Sequence, residues 1–519
     1  MNNRDLQATW DYHNGTKHSY ESIRTNRHYL DWDNQPIPLK IYSTLEPTPL
    51  PQQLPASGVT ALEAISAPAS PGTEQCVPSI QLLAEMLYLS AGITRRRSYP
   101  GGEILFRAAA CTGALYHIDL YLVSGEQPKL AAGVYHFGPQ DFALRRLRTG
   151  DYRNTLVRAS GGQSAIANAP VILVCASTYW RNAWKYQSRA YRHCYWDSGT
   201  ILANLLAATA AREVPAQIVL GFRDEAVIQL LSLDPEREGA LALVGLGNAP
   251  DHSNQLSPAV QPVSFETTPL SKSEVDYPEI RAMHDASSLE SEEEVMSWHS
   301  TISATVPPDA DKPGPISQSQ LIPLKPLNND EIPRDNIESV IQRRGSTRQF
   351  AREAISFSQL STLLDRATRG IPADFLQPEG ASLNDLYLIV HAVEDLPPGA
   401  YVFHRENSSL ELLKPGDFRR DAGYLGLGQE IPADCSVDVF FLTDLNKILA
   451  RFGNRGYRAA QLEASIVGGK LYLAAYAQRL GASGLTFFDD DVTEFFSPHA
   501  SGKSVMFLLA LGKSVKKKN

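Results

Sequence analysis

The feature that most limits what this chain can fold into is a duplication. DLYLV at 119–123 returns as DLYLI at 385–389, a shift of 266 residues. The same shift carries GVYHF at 133 onto GAYVF at 399, GDYR at 150 onto GDFR at 416, and RAYR at 189 onto RGYR at 455. It also sets Asp197 on Glu463 and Asp224 on Asp490. Two long copies in one register describe a duplicated domain, because a solenoid would need many short repeats.

Each copy reads in the same order. A strand (IDLYLV or DLYLIV) precedes a second short strand and a GDYR or GDFR helix start. An apolar strand (APVILVCAS or SVDVFFLTD) then leads into a long helix. In the second copy Leu462, Ile466, Leu473 and Tyr476 recur there at helical spacing. Each copy closes on an apolar strand, ALALVGLG or VMFLLALG. The order predicts an α+β fold of mixed layers, long helices against a sheet, built twice. The expected organisation is an extended arm over 1–77, a first domain over 78–247, an acidic and proline-rich linker or strap over 248–330, and a second domain over 331–519. In the joining region SEEEVMSWH suits a short helix, whereas VPPDADKPGP is too rich in proline for one. The stretch up to Pro71 carries few signals for order.

A chain of 519 residues exceeds what one hydrophobic core serves. A net charge of −9 argues against a general nucleic-acid binder. Five cysteines, none in a CxxC pair, suggest reduced thiols without a disulfide framework, and no His/Cys/Asp spacing suggests a metal site. The opening MNNRDLQATWDYHNG lacks the apolar stretch of a signal peptide, and no apolar run approaches the roughly 20 residues that span a bilayer. The expectation is a cytoplasmic protein without nucleic-acid or membrane partners.

RRGSTRQF at 343–350 opens a domain that ends in GASGLTFFDDDV and FLLALG, and in this it resembles the FMN-dependent nitroreductase superfamily. In the first copy CTGALYHIDLYL, followed by RAYRHCYWDSG and GFRDEAV, is similar to the azoline-oxidising branch, the SagB-type and cyanobactin-oxidase-type dehydrogenases. The resemblance covers roughly 78–247 and 332–513 and leaves out the joining region. Members of the superfamily are usually homodimers with flavin at the subunit interface. The resemblance therefore implies two tandem nitroreductase-like domains forming a pseudo-dimer within one chain, with further oligomerisation left open.

The resemblance also implies roles. A flavin phosphate is a dianion and calls for guanidinium forks and hydroxyl donors. Arg344, Ser346 and Arg348 match the superfamily's basic–x–Ser–x–basic motif, with Arg343 beside them. The first copy lacks this cluster: its counterpart falls in ISAPAS at 65–70, and the weaker candidates Lys17, Ser19 and Arg24 lie far upstream. The loop that covers the ring shows the reverse asymmetry. CTGALYH at 111–117 is close to the branch's pattern, with Thr112 in place of a serine and His117 of a proline, while PEGASLND at 378–385 departs from it. A flavin held by Arg343, Arg344, Ser346, Arg348, Ala482, Ser483, Gly484 and Leu485 of the second copy would lie under Thr112, Gly113, Ala114, Leu115 and Tyr116 of the first, with Arg107 near the flavin or the substrate. One FMN per chain is expected, and the mirror-image site should be weak or empty.

Lys185 and Tyr186 match a Lys-Tyr pair that the azoline branch uses in proton transfer, and the second copy has no such pair in ARFGNRGYR. The competing reading is a surface lysine beside a packed tyrosine. Arg189, Tyr191 and Arg192, repeated as Arg455, Tyr457 and Arg458, suit fold or interface, and His117 and His193 suit packed or hydrogen-bonded positions. Three functions follow. The first is an FMN-dependent dehydrogenase acting on a small-molecule or peptide substrate, such as azolines in a ribosomally made peptide. The second is an NAD(P)H-dependent nitro or quinone reductase. The third is a non-catalytic scaffold in a peptide-modifying complex.

Overall fold

The computed structural model describes residues 2–66, 74–99, 102–252, 255–303, 321–378 and 380–515. Each copy builds a seven-stranded sheet in which every neighbouring pair is antiparallel. The first runs Pro47–Pro49, Ala143–Thr149, Gly133–Gly138, Ile118–Ser124, Val171–Thr178, Glu238–Leu246, Ala216–Val219. The second runs Ile322–Pro323, Ser409–Pro415, Gly399–His404, Asp385–Val390, Val437–Thr443, Ser504–Gly512, Gly481–Leu485. The order is the same strand for strand, so the repeat read in the sequence is a repeat of topology. Val171–Thr178 and Val437–Thr443 are buried at every residue, which is why they read as unbroken apolar runs with no alternation.

The long helices Ala190–Ala210 and Arg455–Ala477 lie against each other between the sheets. Residues meet their own counterparts across this contact. A Cβ added to Gly199 would fall 1.6 Å from Ser465 Oγ, and one on Gly469 would fall 2.6 Å from Ala203 Cβ. With 199 matching 465 and 203 matching 469, the contact has the self-complementary character of a two-fold dimer interface, here inside one chain. One glycine in each pair lets the backbones approach.

The repeated arginines tie the halves together reciprocally. Arg189, just before the first long helix, and Arg192 within it grip Asp489 of the second copy at 3.0 and 2.6 Å. Arg455 and Arg458 of the second long helix grip Asp224 of the first at 2.7 and 2.6 Å. The partner of Asp224 in this relation is Asp489 and not Asp490, because the register slips by one residue before the helix Asp489–Phe496. Burial pushes the Asp224 carboxyl up, but Arg455 and Arg458 outweigh it and hold it near 2.

Two segments are more ordered than their composition implies. The first 77 residues are not simply an extended arm. They contain the helices Leu6–Gly15, Tyr20–Thr25 and Ala61–Ser66, and Pro47–Pro49 adds an edge strand to the first sheet. The order comes from buried tertiary partners. Asn3 O accepts from Asn454 N at 2.8 Å, Thr9 Oγ1 donates to Asn454 Oδ1 at 2.6 Å, and Arg192 donates to His13 O at 2.7 Å. The joining region is a strap along its described length, with helices Pro278–Ala286 and Glu292–Ser303, the latter at the expected SEEEVMSWH, and Ile322–Pro323 as an edge strand of the second sheet. The proline-rich 306–315, residues 67–73 (with most of ISAPAS and Pro71) and Glu379 of PEGASLND lie outside the described residues.

Candidate active site

The two halves meet around a cleft of about 340 Å³. The first copy supplies Ala110, Cys111, Thr112, Gly113 and Ala114, Lys185 and Tyr186, and His193, Trp196, Asp197 and Thr200 of its long helix. The second supplies Ser346, Arg348, Gln429, Tyr472, Gly484, Leu485, Thr486 and Phe507. Nine of the sixteen residues singled out from the sequence for catalysis and cofactor binding therefore line one cleft.

One carboxylate shapes the loop above it. Asp197 accepts from Thr112 N at 2.9 Å, from Thr112 Oγ1 at 2.8 Å and from Cys111 Sγ at 2.9 Å, and His117 Nε2 lies 3.0 Å away. The loop is bent tightly. Gly113, Ala114 and Tyr116 all have positive φ, at 65°, 55° and 48°. For Ala114 and Tyr116 this is strained backbone, of the kind that clusters at ligand sites. Gly113 is required on a second count, since a Cβ there would come within 2.8 Å of Tyr186 Oη.

Tyr186 packs edge-on against the His193 ring at 4.6 Å, and His193 Nδ1 lies 2.7 Å from Asn182 Oδ1. Burial first, then the Asp197 carboxylate, push the Tyr186 hydroxyl well above its ordinary pKa, so it stays protonated. Lys185 is half-buried. Burial first, and the Arg348 guanidinium second, hold its ammonium below the ordinary lysine value. Asp197 is the only carboxylate on the described cleft wall, and its oxygens are taken by the loop. Lys185 and Arg348 thus present two cations to the cleft with no side-chain carboxylate paired to either among the described residues.

The remaining expected residues sit behind this wall. Arg344 donates to the carbonyls of Ala108 at 2.9 Å and Arg107 at 3.1 Å, so it ties the second copy to the segment leading into the loop. Arg343 donates to Asp335 at 2.7 Å and to Tyr476 O at 2.8 Å. Arg107 is buried and donates to Pro38 O at 2.6 Å, and its backbone N–H donates to Tyr116 Oη at 3.2 Å. Leu115 and Tyr116 are buried beneath the loop, and Ala482 and Ser483 lie within the edge strand. Sequence reasoning passed over Trp196, Thr200, Gln429, Tyr472, Thr486 and Phe507, which no motif marks. Asp197 carried a signal, its repetition as Glu463, without a hint that it organises the loop.

Among the described residues, the mirror-image position is covered by the chain itself. Past the first sheet's edge strand, the N–H groups of Leu220 and Gly221 donate to the Asp374 carboxylate at 2.9 and 2.8 Å. The strand itself takes a bridge from Ala373. The strap helix Glu292–Ser303 lays Trp298 and His299 over the same turn, where a Cβ on Gly221 would fall 2.2 Å from His299 Cε1. Trp298 is 1% exposed and donates its ring N–H to Phe452 O at 3.0 Å. Phe452 stands where the first copy has Tyr186. The upstream alternatives are occupied as well, because Lys17 pairs with Asp490 at 2.7 Å and Ser19 caps the helix Tyr20–Thr25.

Comparison with known proteins bears on both halves. The model of the "Nitroreductase family" matches residues 91–248 and again 341–513. A protein of Methanocaldococcus jannaschii named as a nitroreductase is 24% identical over 176 residues, 34% of this chain and 84% of its own length. The microcin B17-processing protein McbC of Escherichia coli is 26% identical over 161 residues, 30% of this chain and 56% of that protein. A solved structure from Anabaena variabilis, described as a nitroreductase, superposes with a TM-score of 0.75 at 26% identity and covers 98% of this chain and 99% of its own. The tandem arrangement is thus shared along almost the whole length of both chains.

Proposed function

Because this chain belongs to the nitroreductase family, a family of oxidoreductases whose members generally bind flavin, we propose that it is an FMN-dependent dehydrogenase with one flavin per chain, acting on azoline rings in a peptide. The observation that carries the reading is the asymmetry of the two clefts: one is open and cationic, and its mate is filled by Trp298 and Asp374.

The residues present fit the group. Arg348 and the Ser346 hydroxyl suit a phosphate dianion, and both line the cleft. Thr486 Oγ1, on the cleft wall, is buried without a partner among the described residues, which leaves a donor for a polar edge. The volume falls within the range of about 300–1,000 Å³ usual for ligand pockets. When bound, the flavin would supply hydride acceptance. The chain's own part is to position and to move a proton. The loop Thr112–Ala114, fixed by Asp197, would cover the ring and exclude water. Lys185, a cation at rest whose pKa is held below the ordinary lysine value, would in its neutral fraction take at Nζ the proton that the azoline loses along with its hydride. Tyr186, held protonated, would orient the substrate by donating a hydrogen bond.

The azoline assignment is supported by the likeness of CTGALYH and the Lys185–Tyr186 pair to the azoline-oxidising branch, and by the match to a microcin-processing protein. The test is direct. Purified protein is given a thiazoline-containing peptide in air, and product is followed as a two-dalton mass loss. In parallel it is given NAD(P)H with a quinone or nitroarene. Mass loss in the peptide with no consumption of NAD(P)H is the expected result. Rapid NAD(P)H turnover with no change in the peptide would replace the proposal by the reductase reading.

A further inference from the structure

We propose that His391, Cys435 and Asp438 of the second copy form a binding site for one borderline-soft divalent cation, zinc being the ion that fits. Their ligand atoms all lie within 4.8 Å of one another, and all three residues are buried. His391 Nε2 is 3.0 Å from Asp438 Oδ2. His391 Nδ1 is also buried and has no hydrogen-bond partner among the described residues, and the Cys435 thiol and the Asp438 carboxylate are hydrogen-bonded neighbours. A buried ring nitrogen without a partner is costly unless something else satisfies it.

The first copy shows that the fold does not require this cluster. At the matching positions it has Gly125, Ala169 and Ile172. The space of the His391 side chain is taken there by Arg153, whose guanidinium carbon lies 2.4 Å from where a Cβ on Gly125 would be. In the second copy the equivalent Arg419 turns away, donating to Ala433 O at 2.6 Å and Cys435 O at 3.2 Å. Three apolar or absent side chains have been replaced by an imidazole, a thiol and a carboxylate, and the arginine guanidinium that fills this space in the first copy sits instead on the backbone carbonyls of Ala433 and Cys435.

The donor set is that of zinc: sulfur, nitrogen and oxygen at roughly 2.0–2.3 Å. Such bonds in a tetrahedron put ligand atoms roughly 3.3–3.8 Å apart, so a cluster spanning 4.8 Å needs to draw in by about an ångström. Pro432 O, 3.2 Å from Cys435 Sγ, stands beside the site as an oxygen for the fourth position. The site would be structural. Cys435 follows the helix Glu430–Asp434, and Gln429 just before that helix lines the cleft. An ion bound here would pin that helix, and with it one wall of the cleft, to the strand Val437–Thr443 and to His391. Spacing in the sequence hides this site, since His391 is far from the other two.

The experiment measures zinc by plasma mass spectrometry in the full chain, expressed with zinc in the medium and dialysed against metal-free buffer. About one zinc per chain is expected, with near none in Cys435→Ser and Asp438→Asn. Because those variants can fail to fold, wild-type protein stripped with dipicolinate carries the test too. Its melting temperature should fall, and should recover when zinc alone is added back. Cobalt(II) added to stripped protein should give a thiolate-to-metal absorption band. Wild-type protein that retains no zinc and whose melting is unmoved by added zinc overturns the proposal. So does zinc that both variants retain as well as the parent does.

Discussion

Arg348→Ala isolates the cation pair of the cleft. In the parent the Arg348 side chain has no carboxylate partner among the described residues, and with Lys185 it makes up the positive charge of the wall. A hydrogen bond to a charged group contributes about 1.5–3 kcal/mol. Arg348 is exposed, so the lower part of that range applies. At about 1.4 kcal/mol per tenfold this is a loss of roughly ten- to thirtyfold in flavin affinity. Apo-protein stability should hardly change, since the exposed side chain makes no hydrogen bond or ion pair among the described residues. A second readout comes from Lys185, which burial and Arg348 together hold low. Removing the guanidinium should raise the Lys185 pKa, so the rise of turnover with pH should move to higher pH at saturating flavin. The assay is fluorescence titration of stripped protein with FMN, followed by a pH–rate profile. Unchanged affinity and an unmoved profile would refute the assignment of Arg348 to the phosphate and to the field at Lys185. Arg344→Ala is the control. It loses ties to Arg107 O and Ala108 O, so it should lower the melting temperature of the apo-protein as well as flavin affinity.

Lys185→Ala should retain flavin while turnover falls about 10²–10⁴-fold, and loss of both together would mark a structural lysine. Asp489→Asn leaves Arg189 and Arg192 buried without their shared carboxylate, and should cost about 3–5 kcal/mol in denaturant unfolding; a cost under about 1 kcal/mol would show that the pairs do not hold the halves together. Asp224 is depressed from about 3.9 when unfolded to near 2 in the fold, so its contribution is complete above pH ~4 and fades as pH falls toward 2; acid titration of Asp224→Asn should lack that part of the parent's loss. Trp298→Ala should cost about 3–5 kcal/mol of stability without creating a second flavin site, because Asp374 still caps Leu220 and Gly221.

The duplication, the succession of the main strands and long helices, and the meeting of the two halves were legible because apolar strands and a fixed register survive in the letters, whereas the sheet order and strands such as Ala143–Thr149 and Ser409–Pro415 were not. The complementary losses were legible for the same reason: RRGSTR appears in one copy and CTGALYH in the other. What could not be read is what tertiary contact decides. The first 66 residues look unstructured until Asn3, Thr9 and His13 find buried partners on the second long helix and its neighbours. Arg344 looks like a free cation until two carbonyls of the other copy take it. Nothing in SEEEVMSWH says that Trp298 will fill the counterpart of a ligand cleft, since a lone tryptophan in an acidic helix is equally at home on any apolar surface. The role of Asp197 was half-visible: its recurrence as Glu463 marked the position, but only the folded loop reveals its four partners.

The account turns on one competent site in a chain that has two copies of the fold. Flavin released from a known amount of purified full-length protein, identified by chromatography and counted by absorbance after reconstitution with excess FMN and desalting, tests it directly. The account predicts about one FMN per chain, the count expected when ligand binds only at the open composite cleft. Two equivalents held through desalting would show that Trp298 and Asp374 do not close the second cleft, and none would remove flavin chemistry from this protein.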